Sequence, residues 1–238
     1  MSDETVVRFD PHVHSAASHD GTEPVERILQ HARDIGLDAI AITDHDTIER
    51  SLRAASLAPK YGLIGVPGVE ISTRDGHLIG LGIETMPEPN RPFFSTVQAI
   101  RDRGGVAVVP HPFQRIRHGV SKGSLTDCDA VEVYNAWLFT GYRNRRARVF
   151  ARRHCYPALA GSDAHSILTI GRAYTEIAFE NAPNIDAQAI LEAITDGAVS
   201  VHGRRAPFHR SIGHYVRGAC RKTATITRTT PAKLLKLL

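Results

Sequence analysis

The 238-residue chain has only three cysteines, Cys128, Cys155 and Cys220, and no two of them stand in CxxC spacing. That excludes a disulfide framework and a cysteine-built zinc knuckle. No stretch approaches eighteen consecutive apolar residues, so no segment is expected to span a membrane. The opening MSDETVVRFD lacks the basic-then-apolar pattern of a signal peptide, and a cytoplasmic location is expected. Glycine fingerprints of the Rossmann or P-loop kind are missing, so no nucleotide cofactor is implied. There is no acidic residue after Asp196, whereas nine arginines and lysines come after it. The first 196 residues therefore carry 20 basic and 25 acidic groups, a net of −5 beneath an overall charge of +4. With 42% hydrophobic and 23% charged residues, the chain can bury a sizeable core and is not intrinsically disordered.

Short apolar runs at 6–9, 39–43, 63–71, 78–83, 106–110, 130–134 and 157–160, with a further one at 174–179, read as strands. Most are continuous rather than alternating, as in strands buried on both faces. Amphipathic stretches lie between them. Val25, Ile28, Leu29, Ala32 and Ile35 recur at helical spacing between Pro24 and Gly36. Asp46 and Glu49 predict a capping box that opens a helix over 47–58. Phe93, Val97 and Ile100 stripe another helix, and Ala187, Ile190, Leu191 and Ile194 a further one. This alternation predicts a parallel α/β architecture in one domain, with a basic tail after it.

The residues just beyond each strand are more informative than the strands. The 6–9 run leads into Asp10-Pro11-His12-Val13-His14, and the 39–43 run into Asp44-His45-Asp46. The 63–71 run holds Glu70 near its end, and His77 opens the next strand. Pro110-His111-Pro112 closes the 106–110 run, and Gly161-Ser162-Asp163-Ala164-His165 comes after 157–160. In a parallel barrel all C-terminal strand ends share one face, so these groups would converge there. In His12-x-His14 on extended chain, alternate side chains point the same way and two imidazoles can reach one cation. Asp163-x-His165 repeats that spacing with a carboxylate. A lone histidine is usually a surface or satisfied core residue. Five such clusters beside a core would cost several kcal/mol unless paired or metallated. Imidazole with carboxylate suits Zn²⁺, Mn²⁺ or Fe²⁺.

Taken in order, DPHVHS, SHDGT, ITDHD, GVEIS, HLIGLGI, PHPF and GSDAH resemble the PHP (polymerase and histidinol phosphatase) superfamily of metal-dependent phosphoesterases. The resemblance covers roughly residues 8–175. It implies an α/β fold, a distorted seven-stranded (β/α) barrel with the metal site at the C-terminal strand ends. It also implies a catalytic barrel over 1–200 and a basic extension over 201–238, helical in part. Two to three divalent metals (Mn, Zn or Fe) would bind. His12, His14, Glu70 and Asp163 would hold the first, with Glu70 bridging to a second completed by His77 and His111. Asp20, His45 and His165 would hold the third. The family often has Ser-Asp-Gly where this chain has Ser18-His19-Asp20-Gly21, so His19 is an alternative to Asp20. Glu70 and Asp163 are the carboxylates closest to the chemistry. Asp44 and Asp46 are expected behind the ligands, Asp46 as a helix cap.

The implied reaction is hydrolysis of a phosphate ester by a metal-bound hydroxide, most readily on a small phosphorylated metabolite or nucleotide. A nuclease acting on DNA or RNA ends and a non-catalytic metal-binding regulatory module are the alternatives. Arg115, Arg117 and Arg172 are candidate phosphate contacts, since guanidinium forks suit phosphate oxygens. Six further arginines between Arg143 and Arg153 crowd what reads as one helix, where a charge run is usually the solvated face. The tail reads by default as a solvated extension; it could instead reach nucleic acid through its charges, or end in a short amphipathic helix over 233–238 that docks on the body, a partner or a membrane. Tyr215 is its only aromatic residue after Phe208, which argues against base stacking there.

Overall fold

Val66-Pro67 divides the apolar run 63–71 into two strands, and that break shapes the architecture. Proline has no N–H to give a ladder. On one side of it β3 (Ile64–Gly65) pairs with β2 (Ala39–Ile42), and on the other β4 (Gly68–Ser72) pairs with β5 (His77–Leu81). In this computed structural model the described residues are 4–114, 118–125, 127–137, 141–180, 182 and 184–205. They fall in one compact unit, Met1–Arg205; the second unit, Ala206–Leu238, lies outside the described residues, and with it most of the expected basic extension.

The remaining strands are β1 (Glu4–Val13), β6 (Val106–Val109), β7 (Ala130–Asn135), β8 (Ala158–Gly161), β9 (Ala173–Glu180) and β10 (Val199–Gly203). They form two five-stranded mixed sheets, ordered β10-β9-β1-β2-β3 and β4-β5-β6-β7-β8. The closed seven-stranded barrel expected from the sequence is therefore not formed. The physical reason is strand direction: β1–β9, β9–β10, β4–β5 and β5–β6 all pair antiparallel, and the Pro67 break separates the sheets. Two isolated parallel bridges, Val13↔Ala164 and His45↔Glu70, link them.

Inward residues of both sheets share one core, with Phe9, Ala41, Ile79, Val108, Leu159 and Ile177 in contact. Each of these side chains larger than alanine contributes roughly 1.5–3 kcal/mol on burial. Helices α1 (Val25–Asp34) and α2 (Glu49–Leu57) cover β1 and β2, while α3 (Phe93–Arg101) and α4 (Gly141–Arg153) cover the second sheet. α5 (Ala187–Thr195) opens on Asp186, whose carboxylate accepts the Ala189 N–H at 2.9 Å. The capping box expected at Asp46 does not form. Asp46 has φ 50° and its Oδ1 accepts the Ser72 N–H at 2.7 Å, so it ties the loop after β2 to the end of β4 while α2 starts at Glu49. No helix among the described residues is long and apolar enough to cross a membrane.

Candidate metal centre

Strand direction decides which side chains meet. β1, β2, β6 and β8 present their C-terminal ends to one region of the molecule. Because β5 runs antiparallel to β4, with Ser72 opposite His77, its first residue reaches the same end. His12 and His14 leave the end of β1 with their Nε2 atoms 3.1 Å apart. Glu70 Oε2 lies 3.4 Å from the first and 3.3 Å from the second. Asp163 Oδ1 lies 3.6 and 3.5 Å from the same two atoms. A tetrahedral ion with bonds near 2.1 Å requires donor separations of about 3.4 Å, which the His12, His14 and Glu70 atoms approach, while Asp163 lies at a similar distance from the two imidazoles.

Glu70 is the hub. Its Oε1 is 2.8 Å from His77 Nδ1 and 3.1 Å from His111 Nε2, and its Oε2 is 3.2 Å from His45 Nδ1. Three further sets, each with donor atoms within 4.8 Å of one another, surround it: His12, His111 and Asp163; His45, Glu70 and His77; and His14, Asp20, His45 and His165. Asp20 Oδ2 lies 3.0 Å from His165 Nε2 and 3.9 Å from His45 Nε2. His19 is 65% exposed and joins none of these sets. The structure thus brings together all nine residues named as candidate ligands.

Behind them lies a buried polar frame. His12 Nδ1 is 3.1 Å from Glu132 Oε1, and His14 Nδ1 is 3.0 Å from Ser18 Oγ. Such contacts hold an imidazole with its other nitrogen toward a metal. Asp44 accepts from Ser15 N–H at 2.7 Å, the Ser15 hydroxyl at 2.6 Å and the Ser18 hydroxyl at 2.9 Å, so it acts on His14 through Ser18. Asn135 Nδ2 donates to Asp163 Oδ2 at 2.9 Å and to Glu132 Oε2 at 2.8 Å. Asp10 accepts the N–H groups of Ser162 at 3.0 Å and Gly171 at 2.9 Å, and burial pushes its pKa up to about 6. His111 and Asp163 hold left-handed backbone, with φ 30° and 52°. Such strain persists where the surroundings over-determine it, often at functional sites.

The electrostatics call for positive charge. Burial opposes charging His14, yet its contacts with Asp163 and Glu70 hold its pKa up at about 9. His12 is likewise raised well above the usual range against burial, by Asp163, Glu132 and Glu70. Burial also disfavours the Glu70 carboxylate, but His45, His77 and His12 hold its pKa well below the usual value. His45 is driven down to about 2 by burial and His165 to about 4 by burial and by His14. The surrounding carboxylates thus favour positive charge at His12 and His14, which a bound divalent cation would also supply. His111 turns its Nε2 toward Glu70 and leaves its buried Nδ1 without a hydrogen-bond partner. The residues present fit divalent cations.

The comparisons with known proteins agree. Residues 141–199 match the family described as PHP-associated. An uncharacterized protein of Methanocaldococcus jannaschii is 33% identical over 153 residues, 59% of this chain and 89% of that protein. A solved two-domain protein from Bacteroides vulgatus, described as containing a predicted PHP-like metal-dependent phosphoesterase, has the same fold. Its TM-score is 0.70 at 19% identity, covering 84% of this chain and 66% of that one. The chain belongs to the PHP superfamily of metal-dependent phosphoesterases. The 5'-3' exoribonuclease of Haemophilus influenzae is 30% identical over 105 residues, 42% of this PHP chain and 38% of that protein.

The remaining sequence-named residues of this PHP chain fall elsewhere. Arg115 and Arg117 lie outside the described residues. Arg172 donates to the Leu168 carbonyl at 3.2 Å and lines a cavity of about 660 Å³ with Arg8, Arg204, Tyr174 and His202. None of the nine candidate ligands lines that cavity. Sequence reasoning missed Glu132 and Asn135. Their signal was a carboxylate inside the otherwise apolar run AVEVYN of β7, since an unpaired buried charge is too costly to be accidental.

Proposed function

We propose that this chain hydrolyses a phosphate ester on a nucleotide or similarly small phosphorylated substrate, using divalent cations held by the nine-residue cluster. The observation that carries the reading is the Glu70 carboxylate. One of its oxygens faces His12, His14 and His45 while the other faces His77 and His111, as in a carboxylate shared between cations. His12, His14, Glu70 and Asp163 would hold one ion; Glu70, His77 and His111 a second; Asp20, His45 and His165 a third. The nitrogen and oxygen donor set suits manganese, zinc or iron. Bound there, such ions neutralise phosphate oxygens and acidify water at neutral pH.

The chain's own residues supply positioning. Glu132 and Ser18 orient the two β1 imidazoles, and Asn135 fixes the outer oxygen of Asp163. Asp10 ties the end of β1 to the turn that carries Asp163 and His165. Arg115 and Arg117, four and six residues beyond His111, are assigned to phosphate oxygens. The exoribonuclease among the relatives supports a nucleotide-type substrate.

The test pairs elemental analysis with hydrolysis of aryl phosphate mono- and diesters in added Mn²⁺ or Zn²⁺. Two or three bound ions and chelator-sensitive turnover are expected. No bound ion and no metal-stimulated turnover would overturn the reading.

A further inference from the structure

Helix α4 carries Arg143, Arg145, Arg146, Arg148, Arg152 and Arg153 and no acidic residue. Among the described residues none of the six is ion-paired, whereas Arg8, Arg27, Arg33, Arg53, Arg91 and Arg101 each pair with a carboxylate; Arg50, Arg74, Arg103 and Arg172 are also unpaired but scattered, so α4 is set apart by having six together. Six like charges on thirteen helical residues repel one another, and an anionic partner would relieve that repulsion. The unpaired arginines border a cleft of about 340 Å³ whose lining includes Phe113, Lys122, Tyr142, Arg145, Arg146 and Arg153, with no carboxylate. The Arg146 guanidinium lies 5.0 Å from the Phe113 ring centre and 5.9 Å from that of Tyr142. Tyr142 itself is 65% exposed, so its ring is available to another planar group.

This cleft joins the metal centre through short covalent and hydrogen-bonded paths. Phe113 is two residues past His111, and His118, later in the same loop, stacks on His77 with ring centres 5.2 Å apart. Arg143 donates to the Phe113 carbonyl at 3.4 Å. In the first turn of α4 the Asn144 side chain clamps the Asn135 backbone, accepting its N–H at 3.2 Å and donating to its carbonyl at 3.1 Å. Asn135 in turn holds Asp163.

We propose that the α4 cleft binds single-stranded nucleic acid and leads its end to the metal centre. Cations that track a backbone, combined with aromatic faces that take bases, are the physical means of gripping a single strand without reading its sequence. An acidic peptide would use the charges but leave the exposed ring without a planar partner. What becomes of the strand rests on the phosphoesterase reading above; its binding does not.

The experiment measures fluorescence anisotropy of a labelled single-stranded oligonucleotide on the full chain with chelator present, across a salt series. Arg145→Ala/Arg153→Ala is expected to weaken binding tenfold or more. It should also flatten the salt slope by about 1.4, at about 0.7 per lost phosphate contact. Tyr142→Ala is expected to weaken binding fivefold or more with the slope unchanged, and thermal unfolding should show both variants folded. Arg148→Ala/Arg152→Ala removes equal charge outside the cleft and should change binding less than twofold. Binding within twofold of wild type for the first variant, or an equal loss in the charge-matched control, overturns the proposal and assigns binding to the basic tail or to net charge. Aryl phosphate hydrolysis by the wild-type chain is run in parallel. Its failure counts against the proposed function and leaves the anisotropy result standing.

Discussion

The Glu132 carboxylate lies 3.1 Å from Nδ1 of His12, and both residues are fully buried. Its other oxygen accepts the His111 backbone N–H at 2.7 Å. One side chain of β7 therefore positions candidate ligands from β1 and from the loop after β6, without itself joining the candidate ligand sets. Replacing Glu132 with Gln should weaken metal affinity by about 10–100-fold, the usual effect of losing a ligand's carboxylate partner. Excess metal should restore turnover, which separates positioning from chemistry. Glu132→Ala should also destabilise the fold by about 1–3 kcal/mol, because the His111 N–H loses its acceptor. Metal titration and thermal unfolding read the two effects.

Glu70→Ala, and separately His12→Ala and Asp163→Ala, should abolish metal-dependent hydrolysis while circular dichroism remains native. Elemental analysis of the Glu70 variant should show at least one ion fewer than wild type. Full activity in that variant would sink the shared-carboxylate arrangement.

Gly161 sits where Glu132 and His12 converge. A Cβ there would lie 2.5 Å from Glu132 Oε1 and 2.7 Å from the His12 Cβ. Gly161→Ala should therefore cost about 1–3 kcal/mol by overpacking, and it should lower metal affinity as well. Gly123→Ala, with nothing within 4 Å of its Cβ, should change neither. Equal metal affinity in the two variants would refute the role given to the Glu132–His12 contact.

Chelator-treated protein should lose stability as pH rises from about 6.5 to about 9. His14 has its pKa raised from 6.5 to about 9 in the folded chain. Its contribution is then fully present below 6.5, where folded and unfolded forms both hold the proton, and is lost as the folded form deprotonates near 9. Metal affinity should rise over the same window, since a cation displaces that proton. Melting curves with chelator at pH 6.5, 7.5 and 9 test this, and a flat series would contradict it.

Local chemistry written along the chain made much of this protein legible. Helix positions could be read from stripes such as Val25, Ile28, Leu29 and Ala32, and the strands from continuous apolar runs. Ligand-type residues stood after those runs because a strand end is where a buried scaffold hands a side chain to a cleft. Pairing direction was not legible. An apolar run reads the same whether its neighbour is parallel or antiparallel; β5 reverses in a local hairpin over Thr73–Gly76, but the antiparallel pairing of β1 with β9 and the split into two sheets emerged only from contacts distant in sequence. Asp46 looked like a cap because its nearest chain neighbours allow one, but the Ser72 N–H, 26 residues away, claimed its carboxylate. Glu132 was hidden inside an apolar strand, and only its place opposite His12, 120 residues earlier, gave it a role. The amino-acid order determined which groups are available and roughly where each strand ends. The tertiary fold decided which of them meet, because hydrogen bonds and charge pairs act over a few ångströms of space whatever their separation along the chain.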